Sequence, residues 1–336
     1  MLLTRRSFIG GIAFGSVSIA ARLRAAEYSF VQYHNQTDSS SLHRRLVEMW
    51  EAVRKETNGR VATQVLAQNN NIPGSDPAAL TMLVAGEIQF FTLMGGILGT
   101  VAPVAEAQQV PFAFRSAAHA HRAMDGPLGA YIRAETEAKG IYSFPVAAFD
   151  NGMRQIGSNT RPVRMPSDLA GMRMRVPAGQ MVADTFKAFG AVPVTINSRD
   201  NYDALKAGTV DAHENPLALM ESFKLDEVTK YISVTNHMWS GFNQLAHLAT
   251  WRKVPNDLKA VIERNVATYV RLQRQDQERA NTGVRATLVT RGLAINDVDA
   301  APFRRQLSGF YATWKKQLGA KCWSLLESAA GSPLAS

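Results

Sequence analysis

Two short strings hold the residues with the clearest capacity for chemistry. Arg173-Met174-Arg175-Val176-Pro177 alternates charged and apolar residues as a strand does, which places Arg173 and Arg175 on one face and stops at a proline. In open α/β sheets ligands lie just beyond the carboxyl ends of strands, and a planar guanidinium grips a carboxylate with two parallel hydrogen bonds. The string fits either a carboxylate clamp or a solvated strand with surface arginines. The second string, Asp211-Ala212-His213-Glu214-Asn215-Pro216, lies where a strand gives way to a helix near Leu217, with Pro216 setting its first turn. There Asn215 either donates its amide to a ligand oxygen or caps the helix, while Glu214 reads as a structural pairing or capping residue.

Catalytic signatures are missing. The sequence contains no P-loop, no Gly-x-Gly-x-x-Gly after a strand, no Gly-x-Ser-x-Gly and no His-Glu-x-x-His. His119 and His121 are two apart on a predicted helix and diverge, and His34, His43, His213, His237 and His247 stand in separate segments without ligand spacing. No metal and no cofactor are implied. The one cysteine, Cys322, sits beside Trp323 on an amphipathic tail and reads as packing rather than nucleophile.

The elements that must position these strings follow from periodicity. Leu42, Leu46, Met49, Trp50 and Val53 mark a helix from Ser39-Ser40-Ser41 to Gly59, and Val61 to Leu66 reads as a strand. Ser75-Asp76-Pro77 supplies a helix cap and a first-turn proline, the helix runs to Gly86, and Ile88 to Met94 is again strand. The cadence returns as strand Met172 to Val176, helix Met181 to Phe189 and strand Val192 to Ile196. A total of 336 residues suffices for two cores, and this alternation predicts two similar α/β lobes. From Pro255 to about Arg291 apolar residues recur at helical spacing, predicting one helix of roughly 35 residues and about 50 Å. That exceeds one lobe, so it serves as a strut along both.

The formal charge of +9 shrinks to +5 once Arg5, Arg6, Arg22 and Arg24 are set aside, and the remaining cations form no stripe that could track phosphates. Nucleic acid is therefore not a partner. Thr4-Arg5-Arg6-Ser7-Phe8-Ile9 followed by an apolar run to Ala21 reads as an export signal resembling the twin-arginine type, too short to span a bilayer, with cleavage near Ala25 or Ala26. The mature chain is expected in the periplasm.

Three strings kept in register carry a family likeness: Asn151-Gly152-Met153-Arg154-Gln155 through Arg161-Pro162-Val163; Asp168-Leu169-Ala170-Gly171-Met172-Arg173-Met174-Arg175-Val176-Pro177; and Tyr202-x-Ala204-Leu205 through Gly208-x-Val210-Asp211 to Glu214-Asn215-Pro216. With weaker likeness from about Tyr28 to Trp323, the sequence resembles the DctP-type solute-binding proteins of tripartite ATP-independent periplasmic (TRAP) transporters. The resemblance implies a two-lobed periplasmic-binding-protein architecture that closes on a small-molecule carboxylate, no enzymatic activity, and a separate TRAP membrane permease as partner. The lobes would comprise 27–151 plus about 241–275, and 152–240 plus about 276–325, after an export signal at 1–26. A ligand-binding sensor partner, or an exported α/β enzyme acting on a carboxylic acid, are the competing readings.

By the same resemblance Arg175 bonds the ligand carboxylate, Arg154 is the second arginine and Asn215 the amide before proline. His34, Asn35, Asn71, Met94 and Gly95 would meet the ligand from the other lobe, and Trp239 would wall the pocket. Asp200 stands where the family often has Glu, one methylene longer, as partner of an arginine. Ser198, Ala178 and Met94 replace residues typical of the family's sialic-acid binders, which disfavours a large nonulosonate and favours a smaller or flatter acid.

Overall fold

The computed structural model describes residues 26–334, so the expected export signal lies outside the described residues. In chain order come β1 (Tyr28–His34), α1 (Ser41–Glu56), β2 (Val61–Leu66), α2 (Ser75–Ala85), β3 (Phe90–Met94), α3 (Gly95–Leu98), α4 (Ala117–Asp125), α5 (Pro127–Glu137) and the long β4 (Ile141–Ser158). Next are β5 (Arg173–Val176), α6 (Gln180–Ala188), β6 (Val192–Thr195), α7 (Asn201–Lys206), β7 (Ala212–Asn215), α8 (Leu217–Ser222) and the long β8 (Tyr231–His247). The chain ends with α9 (Leu248–Lys253), α10 (Asn256–Thr290), β9 (Ala294–Asp297), α11 (Ala300–Gln306), α12 (Ser308–Leu318) and α13 (Ala320–Ala330).

One sheet runs in the order β2-β1-β3-β8-β4-β7-β5-β6, with β9 also on β8. The two long antiparallel strands, β4 and β8, make it two lobes. Near one end β8 pairs with β3 through Phe242–Ala246, and near the other β4 pairs with β7 through Gln155–Ser158. Parallel strands β1 and β2 extend the first lobe, while β5 and β6 extend the second. Between them the β4–β8 register shifts at Ser143/Ala148, Asp150/Gly152 and Arg154/Ile156, and such shifts bend a sheet.

The strut forms as its spacing predicts. α10 is 35 residues long, starts after Pro255 and buries Leu258, Ile262, Val266 and Val270 toward one end and Val284 and Leu288 toward the other. The first set joins the larger hydrophobic core with Trp50 and Phe90; the second joins a smaller core with Leu205, Leu217, Met220 and Ile232. At its middle the apolar stripe turns polar. Gln273 donates to the Asp150 carbonyl at 2.8 Å and accepts from its N–H at 2.7 Å, and Gln277 donates to the Asn151 carbonyl at 3.1 Å. These amides satisfy the backbone where β4 bends, groups that the irregular pairing would otherwise leave buried and unbonded.

Two expectations need correction. Ser75 does not cap α2: it is the first helical residue, at φ +48° after Gly74, and its neighbour Asp76 turns its carboxylate toward Asn35 and Asn69 instead. The C-terminal segment does not sit with the second lobe alone. α12 packs on α6 and on the Pro103–Gln109 3-10 turn, and α13 packs on α4 and α5, because Trp314, Leu318, Cys322 and Trp323 belong to the larger core. Cys322 is wholly buried, and burial pushes its thiol up to about 12.

Gly152 marks the bend at φ +110°, and a Cβ there would collide with the Asn281 amide of α10. Gly152→Ala is expected to lower the unfolding free energy by about 1–3 kcal/mol, the range for a forced backbone conformation, measured by urea denaturation. Unchanged stability would show that α10 does not brace this point.

Candidate functional site

Arg175 ends β5, whose Met174 and Val176 anchor the strand in the core. Its side chain is 1% exposed. Nε donates to the Ile196 carbonyl at 2.8 Å, and Nη2 reaches the Ser198 hydroxyl at 3.5 Å. Among the described residues no carboxylate forms an ion pair with it. Burial lowers the guanidinium to about 10, with Glu214 opposing and Arg154 reinforcing the shift, and Asp76 and Asp200 act on it only through space. A buried charge held by two neutral oxygens alone is poorly compensated and calls for an anion. Arg173, two residues earlier, shows the contrast: it is exposed and paired with Asp211 at 2.6 Å.

Arg154 lies in β4, across from Met238 of β8, and is 2% exposed, yet its charge is spent. Nε and Nη2 grip both carboxylate oxygens of Glu214, Nη2 also donates to the Glu214 carbonyl at 2.5 Å, and Nη1 donates to the Ser240 hydroxyl at 3.2 Å. Burial alone would push the Glu214 carboxyl up, but the Arg154 charge and the His237 ring at 3.4 Å bring it down to about 2. Asn215 accepts from Arg154 at 3.4 Å, and its amide nitrogen lies 2.9 Å from His213 Nδ1. Burial and the nearby Arg175 charge push His213 down to about 3, so that ring is neutral and accepts the amide proton. Asn215 is thus oriented by two partners and keeps a second amide hydrogen.

The first lobe brings a buried carboxylate toward these groups. Asp76, 4% exposed, accepts from Asn35 at 2.8 Å and from Asn69 at 2.6 Å, and shares a mutual electrostatic influence with Arg175. Burial raises its carboxyl while both amides and Arg175 oppose the rise. Asn69 reaches it from an unusual turn: Gln68, Asn69, Asn70 and Asn71 all have φ between 49° and 54°, a left-handed run that asparagine tolerates better than most residues. Met94 ends β3 with its sulfur 3.9 Å from Arg154 Nη1, and Gly95 follows where a Cβ would strike Gln108. His34 is buried against His43 at 2.9 Å, and burial drives it down to about 3.

Three sequence assignments fare differently. Asn71 is exposed at the end of the left-handed turn, and Asn69 is the asparagine that turns inward. Asp200 bonds its neighbour Arg199 at 3.4 Å, its shorter side chain leaving it no ion pair with Arg175 or Arg154. Trp239 does not wall the space around Arg154. Strand alternation puts Met238 and Ser240 on the Arg154 side of β8 and Trp239 on the other, where its indole donates to Asp150 at 2.8 Å and meets the His121 ring edge-on. The same alternation, applied to Asn236–Ser240, is the signal that would have found Ser240. Nothing local in the sequence flagged Asp76, which reads there as part of a helix cap.

Two α/β lobes bent about a shared pair of strands, with buried polar groups where they meet, have the architecture of a protein that captures a solute between its lobes. The family model of DctP, bacterial extracellular solute-binding protein family 7, matches residues 33–317, and the chain belongs to that family. It is 31% identical over 238 residues to the 2,3-diketo-L-gulonate-binding periplasmic protein YiaO of Escherichia coli, covering 71% of this chain and 70% of the relative. It is 33% identical over 263 residues to the uncharacterized protein y4mM of Sinorhizobium fredii, covering 77% of this chain but only 48% of that relative's length. Its fold is similar, with a TM-score of 0.83 and 25% identity over 91% of this chain and 99% of the other, to a TRAP periplasmic solute binding protein from Roseobacter denitrificans with bound L-galactonate. The protein is thus a TRAP-type periplasmic solute-binding protein, of a family of binding proteins and not of enzymes.

Because Glu214 is the counter-ion of a buried arginine, Glu214→Gln is expected to destabilise the fold by about 3–5 kcal/mol in urea at pH 7. The Glu214 carboxyl is depressed in the folded state, so its contribution is present above the usual carboxylate range and fades only as pH falls through about 2. A loss below 1 kcal/mol would mean that Arg154 is compensated elsewhere.

Proposed function

We propose that this protein captures a hydroxylated monocarboxylate of sugar-acid size and hands it to a TRAP membrane permease. The observation that carries the reading is Arg175, buried and without a carboxylate of its own. A ligand carboxylate forked onto it completes the pair, and Asn215 adds a donor from the same lobe. Asp76, with Asn35 and Asn69 behind it, is an acceptor surface suited to ligand hydroxyls. Both the Escherichia coli relative named for 2,3-diketo-L-gulonate and the Roseobacter structure with L-galactonate concern such acids, which supports the reading. Ser198, Ala178 and Met94, in place of groups expected in sialic-acid binders, favour a ligand smaller than a nonulosonate. Closure follows from the same energy: an anion bonded from both sides stabilises the shut form over the open one.

Residues 1–26 would direct export and be cleaved near Ala25 or Ala26, a site that N-terminal sequencing of the mature protein checks. For the pocket, a thermal-shift series with L-galactonate, D-glucuronate, succinate and sialic acid is expected to give the largest stabilisation with one of the first two. A larger response to succinate or to sialic acid would overturn the ligand class. Arg175→Met is expected to weaken binding of the responding acid several hundred-fold or more, the cost of leaving a buried carboxylate unpaired, while the melting temperature of the free protein is unchanged or raised. Unchanged affinity in calorimetry would refute the role of Arg175.

A further inference from the structure

The segment after β3 folds back through α3 and the Pro103–Gln109 turn, and it meets the loop that leaves Arg175. The backbones touch at two glycines: a Cβ on Gly179, which sits at φ +150°, would lie 3.3 Å from the carbonyl of Gly96. Beside this contact α6 begins with no cap of its own. Gly179 precedes it, no side chain of the first turn bonds its free N–H groups, and that turn contains no acid. The first residue, Gln180, is exposed, but Met181 is buried, and its N–H needs an acceptor from elsewhere. It comes from the other lobe, 75 positions away in sequence. Glu106, 5% exposed, accepts the Met181 N–H at 2.6 Å and that of Gln180 as well. Gly99 leaves room for its side chain, since a Cβ there would overlap the Glu106 methylene. α6 starts five residues after Arg175, so whatever fixes its first turn also fixes the loop carrying the anion-binding strand end.

We infer that Glu106 is a positioning residue that holds the two lobes shut, by capping α6 from the opposite lobe and pinning the loop next to Arg175. This rests on the reading that closure traps the ligand. Glu106 itself touches no ligand group; it acts through α6. The gap beside it, about 420 Å³, is lined otherwise by uncharged residues such as Thr100, Thr195, Trp314 and Gln317. Burial raises the Glu106 carboxyl to about 7, the two backbone donors work against the rise, and Asp184 of α6, the one charged side chain acting on it, adds to it. When the lobes part, Glu106 returns to water and to its ordinary value near 4.5. The shut form therefore binds the proton more tightly than the open form, so closure is favoured as pH falls and weakened as pH rises through about 7.

The test uses the full mature chain and two variants, Glu106→Gln and Glu106→Ala. L-galactonate and D-glucuronate serve as probes in calorimetry at pH 6 and pH 8. The wild type is expected to bind the better probe about ten-fold more tightly at pH 6 than at pH 8, the ratio set by a carboxyl moving from near 4.5 to about 7. Glu106→Gln, which keeps the acceptor oxygen and loses the charge, should match the wild type at pH 6 and show a flattened pH profile. Glu106→Ala, which loses the acceptor, should bind at least ten-fold more weakly at both values. A glutamine variant as weak as the alanine variant, or a pH profile unchanged by either, overturns the proposal. Hydrogen exchange of the protein saturated with the responding acid, in which the lobes are shut, reads the cap directly. The amides of Gln180 and Met181 should exchange at least ten-fold faster in Glu106→Ala and at the wild-type rate in Glu106→Gln at pH 6; equal rates in all three proteins sink the inference. If neither acid binds the wild type, the ligand class has failed; the acid released from the purified protein and identified by mass spectrometry then replaces both probes, and the same comparison of the three proteins decides the role of Glu106.

Discussion

A guanidinium stripped of water and given no counter-ion is the constraint on which this structure turns. Among the described residues two arginines are buried near each other, and only one of them has that lack; the difference is their partners. Arg154 is forked onto Glu214 and completed by Ser240, so that pair is part of the fold and its removal leaves an uncompensated charge. Arg175 has only the Ile196 carbonyl at bonding distance and Ser198 at the limit. On the proposed reading, that unmet demand is met by the carboxylate of the solute. Glu214 supports the Arg175 charge only through space, because its carboxylate is committed to Arg154.

Everything around that group serves to bring a second surface to it. The sheet does not stop between lobes but continues through β4 and β8, bending where their register shifts. α10 lies along both lobes and bonds the bend through Gln273 and Gln277, so the joint between them is held by side-chain amides rather than by a tether. Asp76, Asn35 and Asn69 come from the first lobe and Arg175 and Asn215 from the second, the division that the proposed capture of an anion between lobes would use. Such a division links capture to a change of shape without any chemical step.

Much of this was legible in the sequence for identifiable reasons. α1, β2 and α10 were read nearly to the residue because burial repeats at helical or strand spacing and because glycine or proline stands at the ends. The places of Arg175 and Asn215 in the fold were legible because both lie in the last two residues of a strand, just before a proline. What was hidden depends on long-range partners. Ser75 and Asp76 look like an ordinary helix cap, and only the approach of Asn35, forty-one residues away, turns Asp76 to another use. Trp239 was misread because its neighbours in sequence, Met238 and Ser240, face the arginines while it faces the opposite side of the sheet. The helices after Asn296 were allotted to one lobe because chain order says nothing about which core Trp314 and Trp323 complete.

Cys322 deserves a last consequence. Its sulfur is sealed against Trp323 and Leu326 in the larger core, with no second thiol anywhere in the sequence to join it. The protein's covalent framework is therefore indifferent to redox potential: no oxidant is needed to finish it, no reductant can unfasten it, and the same final state is reachable on either side of a membrane that separates reducing from oxidising surroundings.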